Sequence, residues 1–108
     1  MAEQRAQTRR SSARPSDRSN SDRISGAEDA AHRASRSLAR LIGHPAEGSS
    51  EVAREENNRW RVCVDVVEVR RIPDTTSLMA TYEVDLDEDG DVLGYRRLRR
   101  YRRGAADQ

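Results

Sequence analysis

The sequence contains no lysine and no phenylalanine, and it has four aromatic residues in a chain of 108. Its one cysteine, Cys63, has no partner for a disulfide within the chain, which is typical of proteins made in a reducing compartment. No apolar run approaches the roughly 20 residues that span a bilayer, and the N-terminus lacks the apolar segment of a secretion signal. We therefore expect a cytoplasmic protein without a membrane partner.

Residues with catalytic or metal-binding chemistry are equally scarce. His32 and His44 are the only histidines, and there is no second cysteine, so a zinc site is not expected. Cys63 has no nearby histidine or helix N-terminus to activate it, which favours a structural thiol over a nucleophile. The chain also lacks a glycine-rich phosphate loop. The sequence therefore predicts a protein that is not an enzyme and uses no cofactor.

The acidic segment Asp85–Asp91 is similar to the start of a calcium-binding loop of the EF-hand type. Acidic residues recur at alternate positions, and Gly90 occupies the sixth position of such a loop. The twelfth position, however, holds Arg96 where that loop requires a glutamate, and strands are predicted on both sides. We therefore interpret the segment as an acidic hairpin turn and expect no metal ion.

Charge is abundant and is sorted along the chain. The net charge is +1, and all 20 basic residues are arginine, which also agrees with codon usage in a GC-rich genome. Residues 51–95 carry five arginines and twelve acidic residues, a net charge of −7, whereas residues 96–108 carry six arginines and one aspartate, a net charge of +5. This separation predicts a dipolar molecule with complementary surfaces for binding.

The two ends of the chain are predicted to lie outside the folded domain. Residues 1–23 consist mainly of Arg, Ser, Gln, Asn and Asp and bury too little apolar surface to offset the entropy of ordering. We therefore predict a disordered basic tail over residues 1–23, a folded domain over residues 24–103 and a flexible C-terminus over residues 104–108.

A helix is predicted over residues 24–43. Ser25 and Glu28 have the spacing of a capping box at its start, and Gly43 is a typical C-terminal stop. Between them, apolar residues recur at helical spacing and form one stripe; they are Ala27, Ala30, Ala31, Ala34, Leu38, Leu41 and Ile42. The stripe needs a partner surface, because a helix of this length is marginal on its own.

Strand patterns fill the rest of the domain. Residues 46–50 are interpreted as a linker, Val52 and Ala53 as a short strand, and Asn57-Asn58 as a turn. Trp60 starts an apolar alternation that shifts at Val66-Val67 and predicts a bulge or a strand covered on both faces. Two further runs, residues 78–86 and 92–103, are joined by a hairpin turn that ends at Gly90. The fold class is therefore α+β, with one N-terminal helix packed on a three- to four-stranded antiparallel sheet and a disordered tail before it.

The last strand is dense in arginine. Regular alternation places Tyr95 and Tyr101 on one face, and both faces carry arginines. The candidate partner-binding residues are Arg96, Arg97, Arg99, Arg100, Tyr101 and Arg103. Alternatively, these charges only protect an edge strand from unwanted pairing. Exposed ion pairs contribute about 0–1 kcal/mol each, so substitution of Arg97, Arg99 and Arg100 is expected to leave the fold intact.

Several sequence segments together point to a known family. Residues Trp60–Glu68 are followed by Arg71-Ile72-Pro73-Asp74-Thr75, Leu78–Val84, Asp87, Gly90, Tyr95-Arg96-Arg97 and Arg100-Tyr101. This succession resembles the gas vesicle protein GvpO family over most of the predicted domain. Cys63 departs from the pattern, since another small or charged side chain is expected there. The basic tail lies outside the resemblance.

The resemblance implies an accessory protein of gas vesicle formation that is not an enzyme. It would act in the cytoplasm, in association with gas vesicles, and its partners would be other gas vesicle proteins. Whether such a protein is an assembly factor, a minor shell component or a regulator does not follow from these residues. The alternative is a small nucleic-acid-binding or regulatory protein that uses the arginine-rich tail and the last strand.

Overall fold

The structure is a computed structural model that describes residues 23–105. These residues contain one α-helix and four strands: α1 (Ala27–Ile42), β1 (Ala46–Arg54), β2 (Trp60–Val69), β3 (Leu78–Leu86) and β4 (Val92–Arg102). The strands form one antiparallel sheet in the order β1-β2-β3-β4, with α1 packed on one face. The predicted α+β fold class is therefore confirmed. Two segments lie outside the described residues: the predicted basic tail, apart from Arg23, and residues 106–108. The domain boundaries therefore remain predictions.

The start of α1 differs from the predicted capping box. The helix begins at Ala27, and its N-cap is Gly26, which has no side chain to donate or accept a hydrogen bond. Instead, the backbone N–H of Ser25 donates to the carboxylate of Asp29 at 3.0 Å. The capping role therefore falls on Asp29, one residue beyond the predicted Glu28. The predicted end is confirmed, because Gly43 adopts a left-handed conformation with φ of 74°.

The predicted linker over residues 46–50 is wrong, because these residues belong to β1. The strand pairs with β2 from Ala46 opposite Val66 to Arg54 opposite Trp60. Two register shifts interrupt the pairing near Gly48 and Ser50. Small, polar residues with low strand propensity are tolerated here because the ladder to β2 supplies their backbone hydrogen bonds.

The turns agree with the sequence. Asn57 and Asn58 have φ of 65° and 61°, and Gly90 has φ of 90°, all in the left-handed region. In the acidic hairpin turn between β3 and β4, the carboxylate of Asp87 accepts the backbone N–H groups of Asp89 and Asp91 at 2.9 and 3.0 Å. The Asp87 carboxylate is therefore used to close the turn.

The core lies between α1 and one face of the sheet, called here the core side. Its buried residues come from the segment before α1, from the helix stripe and from alternate positions of β2 and β3; they are Ile24, Ala30, Ala34, Leu38, Trp60, Val62, Val64, Val66, Ala80, Tyr82, Val84 and Leu86. The predicted core role of Trp60 is confirmed. The opposite face, called the open side, carries no helix among the described residues.

The helix crosses the core side diagonally. Near its start, the N–H of Ile24 donates to the carbonyl of Glu88 in the β3–β4 turn at 2.8 Å. Just after its end, the carbonyl of Pro45 accepts the N–H of Val67 in β2 at 3.0 Å. Because α1 starts beside β4 and ends beside β1 and β2, it leaves the later part of β4 uncovered.

Candidate binding surface on the arginine-rich strand

A bulge divides the arginine-rich strand β4. Arg99 pairs with Thr81 and Arg97 pairs with Tyr82, so Leu98 is an extra residue without a partner in the ladder. One extra residue reverses the alternation of side chains that follows it. Tyr95 therefore lies opposite Val84 on the core side, whereas Tyr101 lies opposite Met79 on the open side. The prediction that the two tyrosines share a face is wrong for this reason.

On the core side, two arginines of β4 converge on one buried carboxylate. Glu68 of β2 accepts a hydrogen bond from Arg97 at 3.0 Å and from Arg100 at 2.8 Å. The hydroxyl of Tyr82 donates to the same carboxylate at 3.2 Å. The Glu68 side chain is 3% exposed, although both arginines remain about half exposed. The buried carboxylate of Glu68 in β2 thus holds the side chains of both β4 arginines in place.

The position of Glu68 follows from the shift in alternation at Val66-Val67. Register between β2 and β3 changes between Val67 and Val69, which confirms a bulge at Glu68. Burial alone would raise the pKa of Glu68, but the hydrogen bond from Arg100 and the charges of Arg97 and Arg100 outweigh it and hold that pKa below its usual value. The carboxylate is therefore ionised at neutral pH.

Tyr95 extends this arrangement toward the start of β4. Its side chain is 44% exposed, and its ring lies 6.3 Å from that of the buried Tyr82 at an interplanar angle of 50°. A partly exposed tyrosine beside fixed arginines has the composition of a protein-binding surface. The group of Tyr95, Arg97 and Arg100 is called here the core-side surface.

On the open side, the β4 residues make other contacts. Arg96 donates to Glu83 at 3.1 Å, and the Arg99 guanidinium lies over the Tyr101 ring at 4.4 Å from its centroid. The Tyr101 hydroxyl donates to Asp65 at 3.2 Å. Burial, followed by the charge of Asp65, raises the pKa of Tyr101. These contacts tie the open side of β4 into a polar network across the sheet.

Arg103 directly follows β4 and links the end of this strand to β1. Its guanidinium donates two hydrogen bonds of 2.7 Å to the carboxylate of Glu47 in β1, and it lies 3.0 Å from Asp74. The hydrogen bond to Glu47 raises the pKa of Arg103. This residue is therefore separated from the other candidates and linked to the opposite edge strand.

The sequence singled out the arginines but missed their partner. The alternation that starts at Trp60 and shifts at Val66-Val67 puts Glu68 on the apolar face, and this acidic residue among apolar ones is the one sequence signal of a buried ion pair. Tyr95 is also absent from the candidates, and its position beside the buried Tyr82 ring is given only by the structure.

Cys63 has the environment expected of a structural thiol. It is buried on the open side, and burial together with the charges of Glu51 and Glu83 raises the pKa of its thiol. A raised pKa disfavours the thiolate that a nucleophile requires. Within residues 23–105, no three His, Cys, Asp or Glu side chains cluster in a way that could hold a metal ion. No helix in this range combines the length and apolar character needed to cross a membrane.

The fold and surface define a small helix-on-sheet protein whose prominent feature is a charged edge strand. Comparison with known proteins is more specific. Residues 12–107 match the family described as gas vesicle synthesis protein GvpO. The chain belongs to the GvpO family, as the resemblance implied.

Three relatives support this assignment. Gas vesicle protein O of Streptomyces sp. (strain CB03234) is 51% identical over 71 residues, covering 66% of this chain and 55% of that protein. Gas vesicle protein O1 of Halobacterium salinarum is 41% identical over 90 residues, with 83% and 72% covered. Gas vesicle protein O of Haloferax mediterranei is 37% identical over 83 residues, with 77% and 59% covered. The matched region is thus little more than half of two of these relatives. No solved structure matches the chain significantly.

Proposed function

We propose that the chain is a non-enzymatic accessory protein of gas vesicle formation that acts in the cytoplasm by binding other gas vesicle proteins. The family description names gas vesicle synthesis, and the three relatives are named as gas vesicle proteins. A protein that assists assembly needs a recognition surface, and β4 offers one.

The observation that carries the proposal is the pair of arginines fixed by buried Glu68. Arg97 and Arg100 each use part of their guanidinium on Glu68 and keep other N–H donors toward solvent. Because their positions are fixed before binding, little side-chain entropy is lost when a carboxylate of a partner docks. Tyr95 supplies an adjacent apolar anchor. The surface therefore favours an acidic partner with an exposed apolar group.

The open side of β4 supports the proposal less strongly. Arg96 and Arg99 are exposed and add positive charge to the same edge strand, which would steer an acidic partner toward it. Tyr101 and Arg103, however, are held by Asp65 and Glu47, and they are proposed to shape this side of the surface.

The experiment uses complementation in a vesicle-forming cell from which the gene for this protein has been deleted. The test variant is R97K/R100K, which keeps the charges that neutralise Glu68 but replaces the planar guanidinium forks. The matched control is R36K/R40K, which makes the same change at two exposed arginines of α1, one helical turn apart. A second test variant, Tyr95→Ala, removes the anchor without touching Glu68.

We expect both test variants to fold, as judged by circular dichroism, and to restore far fewer vesicles than the wild-type chain. They should also capture less of their partner in pull-downs against the other gas vesicle proteins. The control should behave as wild type. Normal vesicles in the deletion strain would refute the role in vesicle formation. Full complementation by both test variants would refute the proposal that the core-side surface binds the partner.

Nucleic-acid binding is the second candidate, supported by the net charge of +5 over residues 96–108. Against it stand the net charge of only +1 for the whole chain and the net charge of −7 over residues 51–95, which would repel phosphates. Gel shifts with mixed DNA and RNA at low and moderate salt separate the two functions, because phosphate contacts weaken steeply with salt. Binding that survives moderate salt and shows sequence preference would favour this second function.

A further inference from the structure

The loop between β2 and β3 presents a fully exposed isoleucine. Ile72 is 98% exposed, the highest value among the exposed large apolar side chains of the described residues. Its neighbours Arg70 and Arg71 are also exposed. The tip of this loop therefore combines one apolar side chain with two arginines, of which Arg70 also lies 3.6 Å from the carboxylate of Asp74 in the same loop. It is called here the Ile72 loop (Arg70–Ile72).

Hydrogen bonds within the β2–β3 connection hold the Ile72 loop in place. Ser77 is fully buried, and its hydroxyl accepts the N–H of Arg71 at 2.9 Å. The same hydroxyl lies 3.1 Å from the carboxylate of Asp74, and the N–H of Thr76 donates to the carbonyl of Pro73 at 2.9 Å. A rigid loop that exposes an apolar tip loses little conformational entropy when that tip is buried by a partner.

The other end of the sheet has the complementary chemistry. An open groove of about 470 Å³ lies between the two turns there, lined by Asn57, Arg59, Asp87, Glu88, Asp89 and Leu93. Leu93 is exposed and supplies an apolar surface, while three consecutive acidic residues outnumber Arg59 and leave the groove with a net negative charge. This site is called here the Leu93 groove.

The two sites cannot meet within one chain. β3 runs between them, starting at Leu78 just after the loop and ending at Leu86 just before the acidic turn. Nine residues of strand span about 30 Å. Contact between the Ile72 loop and a Leu93 groove therefore requires two copies of the chain.

We propose that the Ile72 loop of one copy docks in the Leu93 groove of a second copy. Ile72 packs against Leu93, and Arg70 and Arg71 pair with Glu88 and Asp89, since the Asp87 carboxylate closes the turn. The contact joins two different surfaces, so each added copy leaves one loop and one groove free and the association runs head to tail. This inference does not rest on the proposed function, because it uses neither the core-side surface nor a gas vesicle partner.

A contact between one loop and one groove buries less surface than the interface of a stable dimer. The association should therefore be weak and sensitive to concentration. Sedimentation velocity of the full chain between about 10 µM and about 1 mM should show a rising average sedimentation coefficient. The rise should be much reduced in about 1 M salt, where the Debye length is about 3 Å.

Two single variants and their mixture test the geometry. Ile72→Asp places a negative charge on the loop, and Leu93→Arg places a positive charge in the groove, so each variant alone should stay monomeric. Mixed in equal amounts, they should form a one-to-one dimer that does not grow, because one supplies an intact groove and the other an intact loop. A symmetric contact between identical surfaces would not give this pattern.

The controls are Leu41→Asp on α1 and Leu98→Arg on β4, which make the same changes at other exposed leucines. Both should associate as wild type. A wild-type chain that is monomeric at every concentration overturns the proposal, as does a mixture that fails to dimerise. A monomeric wild type combined with loss of vesicles in Ile72→Asp would instead assign the loop to a different protein.

Discussion

The two sides of β4 carry the same residue type in opposite settings. On the core side, Arg97 and Arg100 contact Glu68, whose side chain is almost fully buried. On the open side, Arg96 is 72% exposed and contacts Glu83, which remains partly accessible to water. We therefore expect the burial of the carboxylate, and not the number of arginines, to decide what each ion pair contributes to the stability of this fold.

The physical reason is the cost of removing a charge from water. Glu68 has exchanged its hydration for hydrogen bonds from two arginines and a tyrosine, so losing those partners leaves a buried charge uncompensated. Glu83 and Arg96 can return to water when their contact is broken. The sequence alone predicts that substitution of Arg97, Arg99 and Arg100 leaves the fold intact. The contacts with buried Glu68 predict instead that Arg97 and Arg100 contribute to stability.

The largest effect is expected from R97Q/R100Q. This variant leaves Glu68 without a cation, and an unpaired buried charge costs about 3–5 kcal/mol. Water reaching the vacated space should keep the loss near the lower value. Urea unfolding followed by circular dichroism measures the change in the free energy of unfolding.

The triple variant E68Q/R97Q/R100Q is the control for this prediction. Removing the carboxylate charge together with its partners should restore much of the lost stability, since the buried charge is gone. Equal stability of R97Q/R100Q and the wild type would contradict the central role of Glu68.

A smaller effect should appear on acidification. Because the pKa of folded Glu68 lies below its unfolded value, its contribution to stability is complete above the unfolded pKa and is lost as pH falls through the folded pKa. We expect the stability difference between the wild type and Glu68→Gln to shrink between about pH 5 and pH 3. Unfolding curves across this range measure it, with Glu56→Gln as an exposed control. A difference that does not change with pH would show that Glu68 is not held ionised.

Much of the fold could be predicted from local patterns. β3 alternates cleanly over Leu78–Leu86, the stripe of α1 has helical spacing, and Gly43 and Gly90 mark its end and the hairpin turn. Each of these signals is local, because side-chain period and backbone conformation depend on neighbouring residues. The fold class follows from such signals alone.

The divided surface of β4 could not be predicted in the same way. The bulge at Leu98 depends on pairing with β3, and one unpaired residue is enough to move Tyr95 to the other face. Residues 46–50 became part of β1 for a similar reason, since the ladder to β2 overrides their weak strand propensity. In these two segments the pairing partner cannot be identified from the residues of the segment alone.

The reactivity of Cys63 tests how far solvent reaches the open side of the sheet. No described helix covers this face, yet the thiol is buried and its pKa is raised by burial and by Glu51 and Glu83. Labelling with a thiol reagent at about pH 8 should be at least ~10-fold slower in the folded chain than in urea. Similar rates in the two states would mean that the open side admits solvent freely.

The smallest effect is expected at the open-side pair of Arg96 and Glu83. Arg96→Gln should change the free energy of unfolding by about 0–1 kcal/mol, because Arg96 is 72% exposed and Glu83 keeps a second arginine, Arg61, at 3.6 Å. Double-mutant cycles give the sharpest comparison: the coupling between Arg96 and Glu83 is measured beside that between Arg100 and Glu68. Gln replaces each partner in both cycles, at low and high salt. We expect the Arg100–Glu68 coupling to be several times larger and to resist salt, since its carboxylate is shielded from ions. Equal couplings would show that burial of the carboxylate does not distinguish the two sides of β4.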